Sequence, residues 1–439
     1  MASQDLSNLS LVSKGWDRVV REQLYGSIWL PSNQGTRDIK SLHFKNTSRL
    51  KLLLRTLQES PNLAFFVRHV EMGYDLRSEC MAGGGKQTHT STMIASIIKA
   101  CPNLESVGGF YPIFGLETHE PIIEALATRT SLREHVWLLS PDRHSHSADS
   151  YGDGISVRKT SDPTSSLLRM HMFWAQLENL VIHGLDASTL GTGSVYGILR
   201  KLPSLQHLVL SNLPSHTCHD GTLQALPALA SLRLDSLPGI TDRGLVSLVS
   251  THQPLTRSLR SFSLVDQNVK ELRTLSSLLS SLPELLSFTF LQQTCPGLPL
   301  GVSHLLFSNP TSVKGRTLLL ASSSLRDLHW DILIPGSATQ ALAQSIRNGG
   351  FPALEHIRAP ADDGTLQAVC RPVTRLPLEE QEVREWERVE TVGYSRKLDH
   401  ARTGAQIRVR ESRMRIAQEE NGGAREKHSR RGRRRCSIL

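Results

Sequence analysis

Apolar residues return in one short pattern along the middle of the chain, Leu-x-x-Leu-x-Leu, entered after a proline or serine and left through polar residues. LPSLQHLVLSNL from Leu202 places Leu205, Leu208 and Leu210 in it, and LPALASLRLDSLPGITDRGL from Leu226 repeats it with Leu229, Leu232 and Leu234. The alternation predicts a strand with one face buried. Looser copies start at Leu104 (LESV), Leu132 (LREHVWL), Leu177 (LENLVI), Leu259 (LRSFSL), Leu285 (LLSFTF), Leu325 (LRDLHW) and Leu354 (LEHI). Successive starts lie 28, 45, 28, 24, 30, 26, 40 and 29 residues apart. Most of these intervals approach a repeat period of about 20–29 residues, and the two long ones mark repeats that carry insertions.

Between the strands the apolar spacing widens to the helical period. VKELRTLSSLLSSL from Val269 puts Leu272, Leu275, Leu279 and Leu282 on one helix face, and SATQALAQSIRNGG from Ser337 does the same with Ala338, Ala341, Leu342 and Ile346 before Gly349 and Gly350 stop it. Each unit is thus a strand, a turn and a helix. No unit buries its apolar face alone, so neighbours must stack into a curved solenoid with parallel strands on the concave side and helices on the convex side. The insertion 140–166 is rich in Ser, Asp, Gly and His, a composition that buries little apolar surface.

Residues 100–362 resemble the leucine-rich repeat family, and LPGITDRGL from Leu237 is similar to the cysteine-containing subclass common in F-box proteins. That subclass often has Cys or Asn after the strand, where this chain shows Asn212 in one repeat and Leu237 in another. The resemblance implies an α/β leucine-rich repeat solenoid, with a generic α/β domain of parallel strands as the alternative.

At the N-terminus, Leu6, Leu9, Val12, Trp16, Val19 and Val20 recur at helical intervals interrupted near Gly15, which predicts two short amphipathic helices. Asp5, Leu6, Leu9, Val12, Ser13, Lys14 and Trp16 resemble the second half of an F-box, D-L-x-x-L-x-x-V-S-K-x-W. Leu24-Tyr25 and LKLLLRTLQESPNLAFFVRHVEM from Leu50 are similar to the family's link from F-box to first repeat. The family's opening helix, L-P-x-E-[IL]-L, has no counterpart before Asp5. The resemblance implies docking on a Skp-type adaptor of a cullin ubiquitin ligase through Leu6, Leu9, Val12 and Trp16, with the repeats holding a target. A helical cap over the first repeat is the other reading.

Charge changes the picture only at the C-terminus. Of 50 Lys+Arg and 41 Asp+Glu in 439 residues, the segment 396–439 carries 14 and 5, so 1–395 hold 36 of each and are neutral. A neutral body argues against nucleic acid as a partner. The segment 376–395 has helix-forming composition; 396–439 is basic and poor in large apolar residues, which predicts disorder. It closes with RRGRRRCSIL, in which Cys436, Ser437, Ile438 and Leu439 fit a Cys-a-a-X prenylation pattern. Arg430, Arg431, Arg433, Arg434 and Arg435 would add attraction to an anionic membrane surface. The competing reading is a nuclear import signal.

Six cysteines without Cys-x-x-Cys spacing argue against a disulfide framework or a structural zinc site and point to a reducing, cytoplasmic setting. The opening MASQDLSNLS lacks the pattern of a secretory signal. GGGK at 83–86 lacks the leading glycine and the trailing Ser or Thr of a phosphate loop, and GTGSVYG from Gly191 reads as a turn into a helix. His216, Cys218, His219 and Asp220 are metal-capable but too closely spaced to close a tetrahedron. No nucleophile and base pair up, so the expectation is a non-catalytic receptor without cofactor.

The strand residues that alternate away from the leucines are the expected target-binding set: Asn179, His183, His207, Ser211, Arg233, Asp235, Asp327, His329 and Asp331. The domain reading is 1–30 F-box-like helices, 31–99 linker and first capping repeat, 100–375 repeats, 376–395 helical segment and 396–439 tail. The expected function is a substrate receptor of a Skp-cullin-F-box ubiquitin ligase, with a membrane-attached interaction scaffold as the alternative.

Overall fold

The computed structural model describes residues 12–30, 39–72, 85–109, 111–114, 116–139, 163–185, 191, 193–298, 319–334 and 336–370. All of them fall in the first of two units, 1–370 and 371–439. Leu6, Leu9, the insertion 140–162, the tail arginines 430–435 and Cys436 lie outside the described residues.

The chain enters through α1 (Lys14–Gly26) and β1 (Ser27–Leu30), then α2 (Ile39–Glu59), α3 (Pro61–Phe66) and β2 (His69–Met72). Next come α4 (Gly85–Ala100), β3 (Ser106–Gly108), β4 (Ile113–Phe114), α5 (Glu120–Ala127) and β5 (Glu134–Leu139). The regular stack continues as α6 (Pro163–His171), β6 (Asn179–Gly184), α7 (Ser194–Leu199), β7 (His207–Ser211) and β8 (Ser231–Asp235). It closes with α8 (Asp242–Thr251), α9 (Gln253–Ser258), β9 (Ser261–Val265), α10 (Leu272–Ser281), β10 (Ser287–Gln292), β11 (Asp327–Ile332), α11 (Ser337–Arg347) and β12 (His356–Arg358).

Among the described residues every strand pairing is parallel. β1, β2 and β3 form one sheet, and β4 to β12 form a nine-stranded one in sequence order. The two are stitched at Glu105, whose carbonyl accepts from the N–H groups of Arg133 (2.8 Å) and Glu134 (3.2 Å). The same doubly accepting carbonyl recurs at the entry to β6 through β12, from Arg133 to Arg326. This is the leucine-rich repeat solenoid that the pattern predicts.

The pattern's leucines form the core in columns. The first position of eight copies, from Leu104 to Leu325, is fully buried, and Leu354 packs against the same core. The second column runs Leu180, Leu208, Leu232, Phe262, Phe288 and Leu328 in strand register; the third runs Trp137, Ile182, Leu210, Leu234, Leu264, Phe290 and Trp330. Leu272, Leu275, Leu279 and Leu282 are buried along α10 as the helical period requires. At the end of α11 the N–H of Gly350 reaches the carbonyl of Ser345 and that of Gly349 reaches Ile346, a Schellman stop with Gly349 at φ +80°.

Two features differ from the sequence reading. The parallel stack begins at β1, well before residue 100, and in the β2 repeat Val67, Val70 and Met72 occupy the three core positions with apolar side chains that are not leucine. Helix α1, with Gly15 in its first turn, is the described part of the N-terminal segment, and the first of the two expected helices lies outside the described residues. The position equivalent to Leu237 in the preceding repeat is Leu213, also buried, so no Cys or Asn ladder forms there. Asn212 sits one residue earlier at φ +54°, donating from Nδ2 to the Gly184 carbonyl at 2.6 Å.

Candidate target-binding face and N-terminal helix

Strand register aligns the outward positions into three rows across the concave face. The first runs from Glu134 through Asn179 and His207 to Asp327 and His356, with Ser231, Ser261 and Ser287 between. The second begins with Val136, Val181 and Val209 and turns polar at Arg233, followed by Ser263, Thr289, His329 and Arg358. The third carries Leu138, His183, Ser211 and Asp235, then Val265, Leu291 and Asp331. The nine residues singled out in the sequence therefore belong to one sheet face.

They are less open than strand alternation alone predicts. Asp327 is exposed, Asn179, His183, His207, Arg233, His329 and Asp331 are half-buried, and Ser211 (6%) and Asp235 (5%) are buried. Curvature crowds side chains on the inside of a solenoid. At the third row the strand also ends, and Asn212 and Ser236, both at φ +54°, turn the chain directly after Ser211 and Asp235. Ser211 and Asp235 act as internal supports instead. Ser211 Oγ shares a 3.0 Å hydrogen bond with His183 Nδ1, while Asp235 accepts from Arg233 Nη2 (3.1 Å) and Ser236 Oγ (3.0 Å).

Other polar groups on the face are also positioned by their neighbours. Asn179 Nδ2 donates to Glu134 Oε1 at 2.9 Å, and His356 Nδ1 meets Asp327 Oδ1 at 3.1 Å. Burial lowers the His207 pKa, opposed by the nearby Glu178 carboxylate. His329 is pushed down to about 4, chiefly by burial and then by the positive charges of Arg358 and Arg233. His329 is therefore neutral at pH 7.

Along the strand entries, Arg133 Nη1 donates to Glu178 Oε1 at 2.7 Å and its Nε lies 3.5 Å from Glu105 Oε2, while Glu105 Oε1 accepts from Arg68 Nη1 at 2.8 Å. This alternation of sign was not part of the sequence reading. Its signal was present in the residues two before each strand's first alternating core position, which read Arg68, Glu105, Arg133 and Glu178.

The metal-capable run His216 to Asp220 does structural work. Cys218 is fully buried in the place that Ile240 fills one repeat later, and burial pushes its thiol up to about 12. His219 caps the short 3₁₀ segment Asp220–Ala225 by accepting from Gly221 N–H at 3.0 Å. Asp220 reaches into the next repeat, accepting from Thr241 N–H (2.8 Å) and Thr241 Oγ1 (2.7 Å).

Of the expected adaptor contacts, Val12 is 68% exposed and Trp16 lies in the first turn of α1. The same helix buries Val20 and leaves Val19 57% exposed, so α1 holds the solenoid with one face and offers the other.

No family model matches the chain, and no curated protein matches it. Among solved structures it is similar to the Rad7–Elc1 complex in yeast, at 14% identity over 86% of this chain and 96% of that one (TM-score 0.40). It is similar also to the leucine-rich repeat-containing protein LegL7 from Legionella pneumophila, at 14% identity over 78% and 96% (TM-score 0.38). A third likeness, to the TLR13–ssRNA13 complex, has 17% identity over 66% of this chain (TM-score 0.33), and the chain spans only 30% of that protein's length.

Proposed function

We propose that this chain is a protein-binding receptor: the concave face holds a target, and the N-terminal helix attaches the solenoid to a Skp-type adaptor of a cullin ubiquitin ligase. The observation that supports the first half is the register of the parallel strands, which sets one continuous polar row, from Glu134 to His356, beside two rows of mixed apolar and polar side chains on one face. A solenoid of this kind presents an extended surface on which a target lies across many repeats. The second half rests on the D-L-x-x-L-x-x-V-S-K-x-W resemblance together with the display of Val12 and Val19. Val12, just before α1, and Val19, within it, are exposed beside buried Val20, which is consistent with a face that a partner covers.

On this reading the chain brings two proteins together and the ubiquitin transfer takes place on other subunits. The test mixes the purified full chain with a purified Skp-type adaptor and follows the pair by size-exclusion chromatography. A co-eluting complex that Val12→Asp with Val19→Asp dissolves supports the proposal. A chain that elutes alone at micromolar concentrations contradicts the adaptor half and leaves an interaction scaffold.

A further inference from the structure

The first sheet sets an open aromatic side chain at one end of the trough. Ile28, Val70 and Val107 turn inward to the core, which leaves two register rows facing outward: Ser27, His69 and Ser106, then Trp29, Glu71 and Gly108. His69 Nδ1 and Ser106 Oγ bond each other at 2.8 Å. Trp29 and Glu71 are register neighbours across β1 and β2. Trp137, Trp174 and Trp330 are buried in the core, whereas Trp29 is 67% exposed. A large aromatic side chain left in water on a sheet face is the kind of residue that a protein partner buries.

Beside it stands a carboxylate that the chain leaves uncompensated. Glu71 is exposed, and among the described residues no ion pair or side-chain hydrogen bond engages it. Arg68, the nearest cation in sequence, turns instead to Glu105 at 2.8 Å and more loosely to Glu22 at 3.9 Å. A Cβ on Gly108 would stand 3.1 Å from Glu71 Oε2 and 3.2 Å from its Cδ, so the Glu71 side chain leans over the glycine towards β3. Ring and carboxylate therefore flank β2, at most about two strand spacings or roughly 10 Å apart. A cation about 6 Å from a ring centroid and about 2.8 Å from a carboxylate oxygen spans that distance with both contacts made.

We infer that Trp29 and Glu71 form a receiving site for one lysine or arginine side chain of the target, its charge set against the indole face and paired with the carboxylate. The assignment rests on the proposed role of the concave face and specifies what the target carries there. A cation between an aromatic face and an anion is held by the ring quadrupole and by a charge-assisted hydrogen bond at once. The corresponding outward residues on β5, β6 and β7 are Val136, Val181 and Val209, so the segment that bears the cation meets an apolar floor as it continues along the trough. An acidic segment in the same place would set like charge against Glu71.

The test selects a random dodecapeptide display library on the full-length protein and titrates the enriched sequences as synthetic peptides. The expected result is enrichment of a Lys or Arg accompanied by apolar residues, with binding weaker in high salt, about three- to fivefold weaker against Glu71→Gln and at least about tenfold weaker against Trp29→Ala. Both side chains are exposed, so neither variant is expected to lower the unfolding midpoint. Replacing the peptide's basic residue by an uncharged counterpart, norleucine for Lys or citrulline for Arg, should weaken binding to the wild type and make no difference to the double variant. A selection that enriches nothing, peptides without a basic residue, or basic peptides indifferent to both variants overturn the assignment. So does a Trp29→Ala protein that keeps every peptide and loses the Skp-type adaptor, because the indole then belongs to the adaptor surface. Peptides lost on changing Asn179 and His207 to Ala but not on changing Trp29 sink this site alone, whereas peptides indifferent to every change on the face sink the docking role too.

Discussion

Trp137 Nε1 donates a 3.1 Å hydrogen bond to His171 Nε2 in the core beneath β5. His171 returns its own proton from Nδ1 to the Leu167 carbonyl at 2.7 Å, which fixes a neutral tautomer. His135, packed against Trp137 and Trp174, is buried with Nε2 unpartnered. Burial lowers His135 to about 3 and His171 to about 4 from an ordinary 6.5. Both folded values lie below the unfolded one, so the unfolded chain binds more protons between them. Stability is therefore complete above pH 6.5 and falls as pH drops towards 4, by about 1.4 kcal/mol per pH unit for each such histidine. Urea midpoints measured from pH 7.5 to 4.5 should show this decline. His135→Phe should flatten it by close to one proton, while His171→Phe should cost about 1–3 kcal/mol even at pH 7.5 by orphaning the Trp137 indole N–H.

In two successive repeats a carboxylate at one helix start reaches the next. Asp242, the first residue of α8, accepts from the N–H groups of Lys270 (3.1 Å) and Glu271 (2.9 Å) and from Thr274 Oγ1 (3.1 Å) at the start of α10. Asp242→Ala should cost about 1.5–3 kcal/mol in chemical denaturation, since several N–H and O–H donors lose a charged acceptor together. Gly244 permits the matching contact one repeat earlier, because a Cβ there would intrude on the Asp220 carboxylate that holds Thr241. Gly244→Ala should accordingly destabilise the protein although it adds only a methyl group to a helix.

The Arg68–Glu105–Arg133–Glu178 ladder looks extensive, but its two arginines are 50% and 43% exposed, and Glu105, 12% exposed, keeps Arg68 when Arg133 is removed. Exposed pairs contribute roughly 0.2–1 kcal/mol. Arg133→Gln should shift the unfolding free energy by less than about 1 kcal/mol. Leu132→Ala, one residue away in the core column, should cost about 2–5 kcal/mol. Comparable losses from the two substitutions would mean that the ladder, rather than the leucine columns, holds the repeats together.

Leu-x-x-Leu-x-Leu made nine strands legible because each copy's leucines are the core, and a column of identical side chains leaves a repeated trace. β2 lacks that trace: Val67, Val70 and Met72 are as buried as the leucines yet do not read as a copy. β4 is two residues long, too short for any alternation. The helices of α10 and α11 were legible from their period and, for α11, from the paired glycines at its end.

The face was legible in its membership but not in its depth. Alternation says which side of a strand Ser211 and Asp235 occupy, whereas their burial depends on the turn that follows, with positive φ at Asn212 and Ser236. Nothing local in Ser211 signals that turn. Equally, the run His216 to Asp220 has the composition of a ligand set, and only its alignment with Ile240 to Asp242 in the next repeat reveals a buried thiol, a cap and an inter-repeat acceptor.

The most direct measurement of the receptor account compares three purifications from the protein's own cells by quantitative mass spectrometry: wild type, a face variant (Asn179→Ala, His183→Ala, His207→Ala) and a helix variant (Val12→Asp, Val19→Asp). The account predicts that the face variant loses the target and keeps the Skp-type adaptor, while the helix variant keeps the target and loses the adaptor. Loss of both partners from a folded face variant, or retention of the target by it, would contradict the division of labour between trough and helix.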